Sequence, residues 1–185
     1  RGIMASRKIE DLMPEMQVMC NKVIEICKEK DVDILITCTL RSLEEQAQLY
    51  GQSRTPDEVL SKQKRLRQKG FGFLADIFDS ITIKRANVLG KHVTFAGPGE
   101  SFHNYREAFD SVPLVNGKAQ WVDPDPTVDE WKVYGEAAVS VGLDWAGNWP
   151  KFKEMPHCQF RPGSNPLTNY SPPQIRTILE NNGLL

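Results

Sequence analysis

S-F-H-N-Y-R-E-A-F-D, Ser101 to Asp110, is the stretch around which the chain reads. It follows a glycine-bearing turn (Gly97, Pro98, Gly99) and sets His103 and Asp110 seven positions apart. Residues 107–115 alternate as a strand does, which puts Ala108, Asp110 and Val112 on one face. A carboxylate between small apolar residues needs a partner, and a metal ion is one. Seven positions are too many for a local turn contact. Strand geometry must therefore bring His103 and Asp110 together around something.

A second stretch, Glu154-Met155-Pro156-His157, supplies another carboxylate and another imidazole. The chain has three histidines, His92, His103 and His157, and two of them fall at the edges of expected strands. Two imidazoles and one carboxylate are a common ligand set for a catalytic zinc with an open fourth position. The remaining carboxylate then suits a general base acting on water. Each motif alone is weak, because a single histidine is more often structural. Their order along the chain carries the weight, with Arg41 upstream and glycine and tryptophan flanking.

Outward from these stretches the elements follow from periodicity and caps. Residues 11–30 place Met16, Met19, Cys20, Val23, Ile26 and Cys27 on one helical face, with Pro14 in the first turn. Residues 32–40 form a β-branched, apolar run, a buried strand. It ends at Arg41, and Ser42 to Glu45 read as a capping box that starts a helix to about Tyr50. Arg41 thus falls at a strand-to-helix junction, where side chains reach ligands. Thr55 to Glu58 read as a second box, and a helix follows to about Lys69. Its Lys62, Lys64, Arg65, Arg67 and Lys69 are expected to form a solvated face. With Phe73, Leu74, Ile77, Phe78 and Ile81 at helical spacing, residues 56–86 read as an inserted helical hairpin. A short strand is expected over 91–95, and a hairpin at Asn116-Gly117 with Trp121 on the return arm. Pro-rich 123–126 reads as a loop. Thr127 to Glu130 read as a third capping box, and its helix closes at Gly142. Trp145 and Trp149 either wall a groove or anchor the core, and these readings weigh equally. A last strand carries His157, and Ser171 caps a final helix.

The totals bound the answer. The chain's 185 residues suit one domain with a real core, 1–185, in which residues 1–8 are expected to be disordered or an expression remnant. A net charge of −1 gives no basic field for nucleic acid. Cys20, Cys27, Cys38 and Cys158 include no C-x-x-C pair and read as buried free thiols. No apolar run approaches a membrane span. R-G-I-M-A-S-R-K at the start lacks a signal-peptide core.

At these residues the chain resembles the M15 family of zinc peptidases, with their D-Ala-D-Ala peptidase/Hedgehog-type fold. It is most similar to the L-alanyl-D-glutamate endopeptidases of phage endolysins and bacterial wall hydrolases. T-L-R-S-L-E-E-Q-A-Q-L-Y (39–50) resembles the family's R-S-x-x-x-Q-x-x-L-Y. The 101–110 stretch resembles S-x-H-x-x-G-x-A-x-D. G-L-D-W-A-G-N-W (142–149) with F-K-E-M-P-H (152–157) resembles G-L-x-W-G-G-x-W and D-x-P-H-F-Q. The resemblance implies an α+β fold, a small mixed or antiparallel sheet flanked by helices. It implies Zn2+ held by His103, Asp110 and His157, with Glu154 as base and Arg41 steadying the oxyanion. Ser101 and Trp145 are the implied substrate contacts. The implied partner is the peptidoglycan stem peptide, with no nucleic acid and no membrane, and the protein is expected to be a monomer. The chain departs from the family in three places. Arg106 stands where glycine is usual, Glu154 where endolysins carry aspartate, and Cys158 where phenylalanine is usual. The expected location is synthesis in the cytoplasm without a signal peptide, then action on the wall after holin-type release by a phage. Rival readings are a D-Ala-D-Ala carboxypeptidase or dipeptidase of the same fold, a non-catalytic zinc-stabilised wall-binding module, and nucleic-acid binding through Lys62–Lys69.

Overall fold

The computed structural model describes residues 5–78, 92–121 and 129–185. In chain order its elements begin with α1 (Pro14–Glu29), β1 (Asp33–Cys38), α2 (Leu43–Gly51), α3 (Pro56–Gln68) and α4 (Gly72–Ala75). They continue with β2 (Ala108–Val115), β3 (Lys118–Ala119), α5 (Asp129–Ser140), β4 (Asp144–Trp145), β5 (His157–Gln159) and α6 (Pro172–Asn181). The chain is α+β, as expected. It divides into two compact units, one of Ser6–Leu40 with Arg106–Pro162, the other of Arg1–Ala5, Arg41–Tyr105 and Gly163–Leu185.

The first unit holds the sheet. Its strands run β1-β2-β5-β4, with β3 paired on β2, and every pairing among the described residues is antiparallel. The helical stripe read from sequence is the buried face of α1, where Met16, Cys20, Val23 and Cys27 are fully enclosed. They share a core with Phe109, Val112, Tyr134, Ala138, Trp145 and Cys158. Asn116 (φ 51°) and Gly117 (φ 73°) make the tight turn between β2 and β3, both in the left-handed region such two-residue hairpins require. Ser6 is tied to the end of β1 by Ser6 N–H to Leu40 C=O and Thr39 N–H to Ser6 C=O.

The second unit is helical. Leu43, Ala47, Tyr50, Val59, Leu66, Leu74, Ile175 and Leu179 make its core. Thr55 with Glu58 and Ser171 with Gln174 form the expected capping boxes. The box at Ser42 is only half made. Ser42 Oγ accepts from Glu45 N–H, but the Glu45 carboxylate turns instead to the backbone of Ala5. Burial raises the pKa of that carboxyl, and the charges of Arg41 and His103 pull it part of the way back.

Two other expectations need correction. Lys62 does not lie on a solvated face. It is buried on α3, ion-paired with the equally buried Glu100, and donates to Phe95 C=O. Lys64, Arg65, Arg67 and Lys69 are exposed, so the basic run is shorter than its sequence. Residues 92–95 form no strand. The turns after α4 continue the apolar stripe through Ile77 and Phe78. Ile81 and the remainder of the 56–86 segment, the loop at 123–126 and Thr127 lie outside the described residues.

Candidate active site

In the sheet unit, antiparallel pairing sets Asp110 of β2 directly across from His157 of β5. The partner that a strand carboxylate needed is this imidazole, with His157 Nδ1 3.0 Å from Asp110 Oδ1. On the other side of β2, Cys38 pairs with Asp110 across a register shift in β1. Its thiol lies within 4.8 Å of the Asp110 carboxylate, a neighbour the sequence reading did not include among candidate ligands.

The other face of His157 is also occupied. Its Nε2 is 3.0 Å from Gln159 Oε1. The Gln159 amide nitrogen meets two acceptors, Arg161 C=O at 2.5 Å and Asp144 Oδ2 at 3.4 Å. The amide oxygen must therefore face His157, and His157 Nε2 must carry the hydrogen. Nδ1 then turns toward Asp110, where a bare lone pair would face a carboxylate. A metal ion between the two would resolve that repulsion. The donor set of one imidazole nitrogen and one carboxylate oxygen is the kind zinc prefers, so these residues fit the metal.

Glu154 precedes this strand. Its carbonyl accepts from His157 N–H at 3.0 Å, its own N–H donates to Ala146 C=O at 3.3 Å, and its carboxylate is exposed. Its backbone is thus fixed on the approach to β5 while its side chain lies in solvent. Trp149 packs edge-on against the His157 ring at 5.8 Å. Trp145 is only 5% exposed and donates Nε1–H to Met155 C=O. Its ring lies between Gly135 and Gly147, where an added Cβ would come within 2.2 Å of it in each case. The geometry makes Trp145 a core anchor, and its outer edge lines a surface hollow with Asn148, Val139 and Lys132.

In the helical unit, His103 is 2% exposed on the short helical turn Phe102–Tyr105. Its carbonyl accepts from Arg41 N–H at 3.2 Å. Arg41 Nη1 donates to Gln46 Oε1 at 3.0 Å, and Gln46 Nε2 donates to Ala96 C=O at 2.7 Å. Asn104, fully buried, donates to Arg41 C=O at 2.9 Å and accepts Gly99 N–H at 3.0 Å. Arg41 and His103 are thus held in one hydrogen-bonded frame. Gln46 stands in the quoted R-S-x-x-x-Q pattern, which was its sequence signal; Asn104 had none. Ser101 begins this turn, its carbonyl accepting from Asn104 N–H. Cys158, beside a ligand candidate, points into the core against Tyr134, as alternation along a strand requires.

The chain is similar to known peptidases. The M15_4 peptidase family model, described as D-alanyl-D-alanine carboxypeptidase, matches residues 96–160, the segment that holds His103, Asp110, Glu154 and His157. A curated relative, the peptidoglycan L-alanyl-D-glutamate endopeptidase CwlK of Bacillus subtilis, is 28% identical over 157 residues, covering 82% of this chain and 75% of that protein. A solved structure, the L-Ala D-Glu endopeptidase ChiX of Serratia marcescens, aligns at TM-score 0.41 and 18% identity over 85% of this chain and 89% of that one.

Proposed function

We propose that the protein is a zinc-dependent peptidoglycan hydrolase that cleaves the L-Ala–D-Glu bond of the stem peptide, as a phage endolysin or a bacterial wall hydrolase. The observation that carries this reading is the Asp110–His157 pair, set in register with His157 Nδ1 3.0 Å from Asp110 Oδ1 and with Glu154 three residues upstream. The match to CwlK supports the choice of bond. His103, Asp110 and His157 would hold the metal. A zinc ion held there would supply Lewis acidity and make the attacking water more acidic.

The chain's own groups do the rest. Glu154 takes a proton from the attacking water and passes it to the departing amine. Arg41, its guanidinium braced by Gln46, donates to the oxyanion as the carbonyl carbon becomes tetrahedral. Ser101 contacts the peptide beside the ligand turn. In this reading the protein acts on the wall as a monomer and needs neither nucleic acid nor membrane.

The test is mass spectrometry of fragments released from purified peptidoglycan, with and without chelator. New D-Glu amino termini, lost on chelation, are the expected result. Glu154→Gln should abolish release while zinc binding stays, and Arg41→Ala should slow it by about 10²–10³-fold. Wild-type turnover in both variants sinks these roles. A second reading has one specific support, the description of the matched family as a D-alanyl-D-alanine carboxypeptidase. Release of free D-alanine from pentapeptide stems, without D-Glu termini, would establish it instead.

A further inference from the structure

Trp149, Asp144, Gln159 and His157 form one hydrogen-bonded chain inside the sheet unit. Trp149 Nε1–H donates to Asp144 Oδ1 at 3.0 Å. Asp144 Oδ2 accepts from the Gln159 amide at 3.4 Å, and that amide also donates to Arg161 C=O at 2.5 Å. Gln159 Oε1 then accepts from His157 Nε2 at 3.0 Å. Gln159 is 1% exposed, and Trp149 closes the chain by stacking edge-on upon the ring it serves. Had the amide been reversed, two acceptors would face its oxygen. Asp144 and Arg161 therefore set which way Gln159 points, and Gln159 sets which nitrogen of His157 carries the hydrogen. Neither Gln159 nor Asp144 touches the reacting atoms in any reading above.

We propose that Gln159, oriented by Asp144 and Arg161, is a positioning residue that locks His157 with its proton on Nε2 and so presents Nδ1 to the metal beside Asp110. The inference rests on the reading of His157 and Asp110 as zinc ligands. Outer hydrogen bonds of this kind are worth roughly 10–100-fold in metal affinity.

The test compares wild type, His157→Ala and Gln159→Met, which keeps length and bulk but has no acceptor. Zinc affinity is read by chelator competition, and the melting temperature of each metal-free protein is read beside it. The expected result is zinc binding by wild type, its loss in His157→Ala, and a 10–100-fold weakening in Gln159→Met. A purely structural glutamine would lower the metal-free melting temperature and leave zinc affinity alone. Gln159→Met binding zinc as tightly as wild type overturns this inference while leaving the ligand assignment intact. His157→Ala binding as tightly as wild type overturns the ligand assignment as well. Should Gln159→Met not fold, 15N spectra of histidine in zinc-loaded wild type decide the matter. A proton on Nε2 supports the proposal, and a proton on Nδ1 overturns it.

Discussion

Arg106 has φ of 63°, in the left-handed region that costs an ordinary residue about 1–2 kcal/mol. The strain sits between the helical turn carrying His103 and the strand carrying Asp110, and Arg106 C=O accepts from Met13 N–H at 3.1 Å. The family pattern has glycine at this place, where the conformation carries no such penalty. The sequence showed the departure, and the backbone shows its consequence: the fold keeps the glycine conformation with an arginine in it. Arg106→Gly should therefore unfold in urea within about 0.5 kcal/mol of wild type or above it. Arg106→Val, β-branched and barred from this region, should lose about 1–2 kcal/mol. Equal stabilities for the two variants would show that φ at this position is not what matters. Among the described residues, Phe152, at φ 52° and largely exposed two residues before Glu154, is the other bulky residue held this way.

Among the elements, α3 and the 95–105 segment of the helical unit are fastened by one buried ion pair. The Lys62 and Glu100 side chains are each 11% exposed. Glu100 also accepts from Gly97 N–H at 2.8 Å and from Asn165 Nδ2 at 3.3 Å. Removing one member of such a pair leaves a buried charge without its counterion, typically a loss of about 3–5 kcal/mol. Lys62→Met should lose that much in urea unfolding, and adding Glu100→Gln should recover a good part of it. A loss under about 1 kcal/mol would mean that water replaces the lysine. The same pair shows where sequence reading stops. The α1 stripe, the Thr55 and Ser171 boxes and the Asn116-Gly117 turn are legible because their causes lie within a turn or two of chain. Lys62 finds its partner 38 residues away, Gln46 reaches Ala96 across 50, and Asn104 reaches Arg41 across 63. Nothing local announces such contacts, so Lys62 reads as one more solvated cation. Asp110 and His157 were legible as chemistry, but their register was not. Trp145 was evenly balanced between groove and core until Gly135 and Gly147 closed on its ring.

Over the whole molecule the question is what holds a chain with two cores and no covalent staple. Cys20, Cys27, Cys38 and Cys158 are all buried, and none is in a disulfide. Burial pushes the Cys20 thiol up to about 12 and Cys27 up to about 11, so neither forms thiolate near neutral pH. Among the described residues no helix is long and apolar enough to cross a membrane. Stability then comes from packing and, in the proposed function, from the metal. A ligand that binds only the folded chain adds about 2.7 kcal/mol at one hundred times its dissociation constant. For a chain of this size that is about 5–10 °C in melting temperature. Chelation should lower the midpoint by that amount, zinc should restore it, and magnesium should not, because imidazole and carboxylate in a tight set favour zinc over a hard, hydrated ion. A reductant should leave the midpoint where it is. In His157→Ala the chelator should have no effect, because the metal-linked part is already gone. If chelator leaves the wild-type midpoint unmoved, the metal contributes nothing to the fold.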